Sequence, residues 1–319
     1  MPVISKTKNE NDLNTAEIIK PFVKIDEGLD DSEPIVGLEY IESQKKLLFG
    51  GGKTSYGDSA RPNIGWIDDI LSNNAGLWHT GSMTPYDYGA WTIFEIPENW
   101  ANMYSSGRNL MVGRGREGWG TKMGPSLFAI APWQDGNPPI NNAQLSYTTL
   151  LYYGTTISES INGYRSTDTD FYYGGAWITN NEKSAVILLG TRSFGNMWYE
   201  HTYIAGHKRH VLIFFNPNDF KEVAQGLKPS YAPQPYALLD ITDYLYGIKN
   251  NAKGYSARID RENAFLKDCA YDRKRNNLYI TEYNVLGTQK DKPIIHVFKI
   301  SNSRSFNTLI PIYQLLLLH

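Results

Sequence analysis

Residues 175–192 read GAWITNNEKSAVILLGTR. A small residue leads a short apolar run that carries an aromatic, a polar turn follows, and a second apolar run ends on glycine. Two short apolar runs around a polar turn predict an antiparallel hairpin. The same plan recurs at residues 37–52, GLEYIESQKKLLFGGG, and at residues 268–283, DCAYDRKRNNLYITEY. Residues 109–115, NLMVGRG, keep its second half.

Each hairpin is followed, after a loop of varying length, by one more apolar strand. These are SLFAIAPW at 126–133, HVLIFFNP at 210–217 and IIHVFKI at 294–300. A recurring antiparallel unit that cannot bury its faces alone must stack on its neighbours. The pattern therefore predicts an all-β chain, a β-propeller with long insertions between strands. Four blades are read directly, and NTAEIIKPF at 14–22 with its flanks offers material for a fifth. A β-sandwich or jelly roll is the alternative; it accounts for the strands but not for the recurring order of hairpin, loop and outer strand. Two short helices interrupt the strands. PENWANMY places Pro97 near a first helical position. NDFKEVAQG offers Asn218 or Asp219 as a cap and Gly226 as a stop.

Composition narrows the function classes. The 319 residues carry a formal net charge of -2, and the longest basic clusters are KDKP and HKRH. A nucleic-acid surface would be strongly basic, so that class is set aside. No apolar run approaches the length of a membrane span. The single cysteine, Cys269, excludes an intrachain disulfide and reads as a buried thiol in a strand. With 22 tyrosines and 8 tryptophans, the loops have the aromatic character of carbohydrate-binding surfaces. Residues 1–12 are polar and predicted disordered, residues 13–305 form one propeller-like domain, and residues 306–319 are an apolar tail. The first residues hold no apolar stretch of the kind an export signal uses.

One resemblance spans much of the chain. DLNTAEIIKPF, IVGLEYI, MTPYDYGAWTIFEIPENW, the GP-S-LFA-APW segment, GAWIT, ILLGTRS, FFNPNDF, QPYALLDI, AYDRKRNNLYITE and IHVFKI follow one another between Asp12 and Ile300. That order resembles an uncharacterised family of bacterial, secreted, propeller-like proteins. The resemblance implies the fold, further N-terminal blades, an export signal and an extracellular or periplasmic location. It brings no activity to any residue.

Propeller sites gather where loops at one end of the blades converge. The positions that follow the second strand of each hairpin are Lys53, then Arg114, Arg116, Glu117 and Trp119, then Arg192, then Glu282 and Tyr283. Two arginines beside a glutamate suit a carboxylate, a phosphate or a sugar hydroxyl, and equally a structural ion pair. GRGREGWG, residues 113–120, concentrates most of this chemistry, but it leads into a strand and so is not a phosphate-binding loop. His79 and Asp87 could form a base and its orienting carboxylate. His201, His207 and His210 cluster beside Glu200 without a zinc-protease spacing, and His210 is placed to enter a core. Asp168 and Asp170 alternate as Ca²⁺ ligands do, without the glycine and distal glutamate of a calcium loop. No metal or other cofactor is expected, Ca²⁺ being the one ion considered. The first reading is a propeller that binds a glycan or other small extracellular ligand. The alternatives are an enzyme using two carboxylates from among Glu117, Asp135, Glu200 and Glu282 on a glycoside, and a structural or protein-interaction propeller.

Overall fold

A computed structural model of the chain describes residues 4–9, 12–20, 35–51, 64–67, 74–79, 90–114, 125–134, 143–153, 170–180, 183–200, 202–247, 265–283, 285, 293–301 and 314–316. The fold is all-β, with four sheets of the β-propeller type. A separate two-stranded sheet pairs β1 (Ile4–Asn9) with β2 (Asp12–Lys20). The chain forms two compact units. One comprises residues 1–90 and 132–146, the other 91–131 and 147–319.

The first unit holds the first blade: β3 (Ile35–Ile41), β4 (Lys46–Gly51), β5 (Ile64–Ile67) and β6 (Asn74–His79). Its core is Leu48, Phe49, Ile64, Trp66, Ile67 and Trp78, all fully buried. Trp66 and Trp78 meet edge to face at 5.0 Å. A short strand outside the hairpin plan, Ala143–Gln144, adds in parallel to the free edge of β6.

The second unit holds three blades. The second blade is β7 (Thr92–Glu95), β8 (Leu110–Gly113), β9 (Ser126–Ile130) and, numbering the Ala143–Gln144 strand as β10, β11 (Tyr147–Tyr152). The third is β12 (Phe171–Asn180), β13 (Lys183–Glu200), β14 (Thr202–Phe215) and β15 (Ala237–Asp240). The fourth is β16 (Phe265–Asp272), β17 (Asn277–Tyr283), β18 (Ile294–Ser301) and β19 (Gln314–Leu316). Every predicted hairpin is present, and the three predicted outer strands are the third strands of blades two, three and four.

The third blade is covered on both faces, which explains its unbroken apolar runs. Side chains alternate across a strand. Val186, Leu188, Val211 and Ile213 join Phe94, Met111, Leu127 and Ala129 of the second blade. Ile187, Leu189, Leu212 and Phe214 join Leu266, Leu278, Ile280 and Phe298 of the fourth. The innermost strands β7, β12 and β16 lie side by side. At Gly175 a Cβ would stand 2.6 Å from the Phe94 ring, and at Gly174 it would stand 2.8 Å from the Cys269 amide nitrogen, so only glycine permits this approach. Cys269 is a buried thiol within that core, as its sequence position predicts.

The turns follow the hairpin plan. Lys45 and Asn276 close two four-residue turns in the left-handed region, at φ 52° and 55°. Asn276 is held there by a 2.8 Å hydrogen bond between its side-chain amide and the Tyr271 hydroxyl. Two helices flank the second unit. Helix α1 (Glu98–Tyr104) starts one residue after Pro97. Helix α2 (Pro217–Ala224) is capped by Asn216, not by Asn218 or Asp219 as predicted. The reason is Pro217: it lacks an N–H, fits the first helical turn, and moves the cap one residue upstream of itself. The predicted stop, Gly226, is in place at φ 72°. Among the described residues no helix is long and apolar enough to cross a membrane.

Candidate functional site

The inner strands of the second unit run in the same direction. Trp91 touches Phe171 at 5.0 Å and, further along, Phe94 reaches Gly175. Gly174 lies at Asp268 and Cys269, and Thr179 further along at Tyr271. The end at which these strands begin is called here the upper end. The second strands β8 and β17 finish there, because they run antiparallel to the first. β13 passes that end at Arg192 and continues to Glu200, so Arg192 lies within a strand and does not follow one as the sequence suggested.

Three predicted site residues occupy that end in three successive blades. Arg114 directly follows β8 and is buried. Arg192 lies on β13, where its Nε stands 3.2 Å from Oδ2 of Asp170, whose side chain is wholly sealed from solvent. Asp170 is therefore the partner of an arginine within its own blade. Glu282, with Tyr283 beside it, finishes β17. Arg116, Glu117 and Trp119 lie outside the described residues, as do Lys53, Asp87, Asp135, Asp168 and His201. Glu200 and His207 lie on β13 and β14, with side chains outside the described set. His79 ends β6 in the first unit, where its carbonyl accepts from the Leu145 amide at 3.0 Å. His210 is buried on β14, as expected, and its amide donates to Thr242 Oγ1 at 2.8 Å.

Glu282 is the most constrained of these groups. Its side chain is fully buried on the face of β17 that carries Leu278 and Ile280. Its Oε2 accepts from the Tyr246 amide at 2.9 Å and meets Nε2 of His296 at 2.7 Å. His296 was not singled out from the sequence. It sits on β18 in phase with Phe298 and Ile300, opposite Ile280. Strand phase alone places both Glu282 and His296 on the core side, so a glutamate and a histidine at core phase on paired strands was the available signal.

The upper end also carries a row of aromatics. Trp91 precedes β7, Phe171 opens β12, and Tyr173 stacks on Phe171 at 5.1 Å with 25° between the rings. The three are half-buried. Burial pushes the Tyr173 phenol up to about 12, against a smaller opposing effect of the Thr191 hydroxyl. Each of β12 and β16 carries a bulge here, between Tyr172 and Gly174 and between Leu266 and Cys269. Bulges re-aim side chains at sheet ends. In β16 the bulge contains Lys267, whose ammonium burial holds below the ordinary lysine range, with Asp268 pulling the other way.

No protein-family model matches this sequence, and a search of the curated proteins returns no match. Of the resemblance drawn from the sequence, the propeller fold is present in the structure. Among the described residues no three His, Cys, Asp or Glu side chains are grouped closely enough to hold a metal ion. A β-propeller is compatible with ligand binding or protein binding, and the upper end of the second unit is where such chemistry is concentrated.

Proposed function

We propose that the protein is a ligand-binding β-propeller that recognises a carbohydrate or a similar hydroxyl-rich ligand outside the cytoplasm. The observation that carries the reading is the row Trp91, Phe171 and Tyr173 at the start of adjacent inner strands, on the same end of the blades as Arg114, Arg192 and Glu282. Aromatic faces offer apolar area at little entropic cost and suit the C–H faces of sugar rings. Arginines suit hydroxyls and acidic substituents, and the sealed Glu282 carboxylate can act only through the groups it holds. Arg116, Glu117 and Trp119, which follow Arg114 in the sequence, and Tyr283 in the fourth blade are included in the proposed site.

The test is a screen of the full-length chain against immobilised oligosaccharides. At least one should bind, and Trp91→Ala or Phe171→Ala should weaken binding by about tenfold, the equivalent of one lost ring contact. A wild-type chain that binds no carbohydrate, or variants that bind as the wild type does, would overturn the reading in favour of a protein-interaction propeller.

A further inference from the structure

The Glu282–His296 pair has a geometry that a purely structural ion pair does not require. An ionised carboxylate offers only lone pairs. The hydrogen in the 2.7 Å contact therefore belongs to Nε2 of His296. In a neutral imidazole that leaves the lone pair on Nδ1. Among the described residues nothing hydrogen-bonds Nδ1, and it is not one of the sealed polar atoms of the molecule. The His296 side chain retains 15% of its accessible surface while that of Glu282 retains none. A carboxylate shut inside the blade thus sets the tautomer of a ring whose other nitrogen reaches solvent.

What surrounds the ring is also specific. The Tyr246 amide donates to the same carboxylate oxygen, which fixes the backbone of a residue that is 55% exposed. Tyr246 follows the 3₁₀ turn Thr242–Tyr244, which is itself anchored by Thr242 Oγ1 on the His210 amide and by Asp240 Oδ1 on the Thr242 amide. The imidazole is therefore held by the buried carboxylate, and the Tyr246 backbone by the same oxygen. An acceptor nitrogen with a fixed tautomer, next to an accessible aromatic residue, is a preorganised place for a donor on an amphipathic ring.

We infer that His296, with its tautomer set by the buried Glu282, is a binding residue that accepts a hydrogen bond through Nδ1 from a hydroxyl of a neutral sugar or polyol lying against Tyr246. The inference rests on the ligand-binding reading and assigns that ligand its polar anchor in the fourth blade. Glu282 is a positioning residue, acting through the imidazole.

Two substitutions separate this role from a structural one. His296→Gln keeps a donor for the Glu282 carboxylate and places nothing where Nδ1 stood. Glu282→Gln can turn its carbonyl oxygen toward both donors and so keep the tautomer, whereas Glu282→Leu cannot. The experiment uses the full chain and the neutral oligosaccharide that binds the wild type most strongly among an immobilised panel. His296→Gln is expected to melt with the wild type yet bind that oligosaccharide about tenfold more weakly, the effect of one hydrogen bond. Glu282→Gln should bind nearly as the wild type does, and Glu282→Leu about as weakly as His296→Gln. Nitrogen-15 spectra of the histidine rings should show His296 protonated on Nε2 in the wild type and in Glu282→Gln. If His296→Gln binds like the wild type, or the spectra place the hydrogen on Nδ1, the inference fails while the ligand-binding reading stands. If the wild type binds no member of the panel, both fail.

Discussion

The two ends of the inner strands in the second unit are built differently. At the lower end, polar links cross from blade to blade. Arg273, in the turn after β16, donates through Nη1 to Glu95 Oε2 at 2.9 Å and through Nη2 to the Glu95 carbonyl at 2.8 Å, joining the fourth blade to the second. The Tyr271 hydroxyl donates to the Thr179 carbonyl at 2.7 Å, joining the fourth to the third. At the upper end, the Asp170–Arg192 and Glu282–His296 pairs each stay within one blade. Bulges open β12 and β16 there, and long connections leave from there. The contrast teaches that one end is stitched to fix the blades while the other fixes individual side chains. Loops mounted on a rigid scaffold are where binding residues concentrate.

Four measurements would break or sharpen that contrast. The largest effect belongs to the upper end. His296→Ala leaves the fully buried Glu282 carboxylate without its imidazole and should cost about 3–5 kcal/mol in chemical denaturation. A loss well below that range would mean that the pair positions the ring without supporting the blade. Next comes the contact between inner strands. Gly175→Val forces a branched side chain against the Phe94 ring and the Ile187 carbonyl, 2.6 Å and 2.9 Å from where a Cβ would stand. It should cost up to about 3 kcal/mol, and a wild-type melting temperature would show that the strands do not abut.

The third measurement is alkaline stability. The Tyr173 phenol titrates near 10 in the unfolded chain and is pushed up to about 12 in the folded one, mainly by burial. Below pH 10 both states hold the proton. Between 10 and 12 the unfolded chain gives it up while the folded chain keeps it, so stability falls as pH rises across that window. The contribution is about 3 kcal/mol at most. Tyr236, also raised to about 12 by burial, adds in the same direction. Tyr173→Phe should flatten part of the fall, and an unchanged slope would place the phenol in water. The smallest effect belongs to the lower end. Arg273 and Glu95 retain 40% and 17% of their side-chain exposure, so Arg273→Ala should cost below about 1 kcal/mol. The cost should shrink further in salt, and a larger, salt-insensitive loss would make this link a true keystone of the base.

Much of the fold was legible in the chain because strand signals are local. A polar turn between two apolar runs marks a hairpin wherever it occurs, and 37–52, 175–192 and 268–283 are hairpins in the structure. The unbroken apolar character of SAVILL and HVLIFF belongs to strands that the structure buries on both faces. The candidate site was legible only in outline. The rule that second strands run toward one end of a propeller brought Arg114, Arg192 and Glu282 to corresponding places in three blades. It did not show what each would touch. Asp170 looked like half of a calcium pair and proves to be the partner of Arg192, because the start of β12 lies against that part of β13. His296 drew no notice, since a lone histidine in an apolar strand carries no motif.

By itself, then, the sequence determined the strands of the recurring hairpins, their pairing and the position of the closing turns. Each of these depends on residues close together in the chain, through side-chain alternation and turn chemistry. β5, β6 and the parts of β13 and β14 beyond the hairpin plan were not read from it. The tertiary structure alone decided which charged groups are sealed and with whom they pair. Glu282 meets His296 only because β17 and β18 pair in one register, and meets the Tyr246 amide only because the connection from the third blade crosses over the end of β17. Burial and long-range register set those contacts, and neither is written in the spacing of the residues they join.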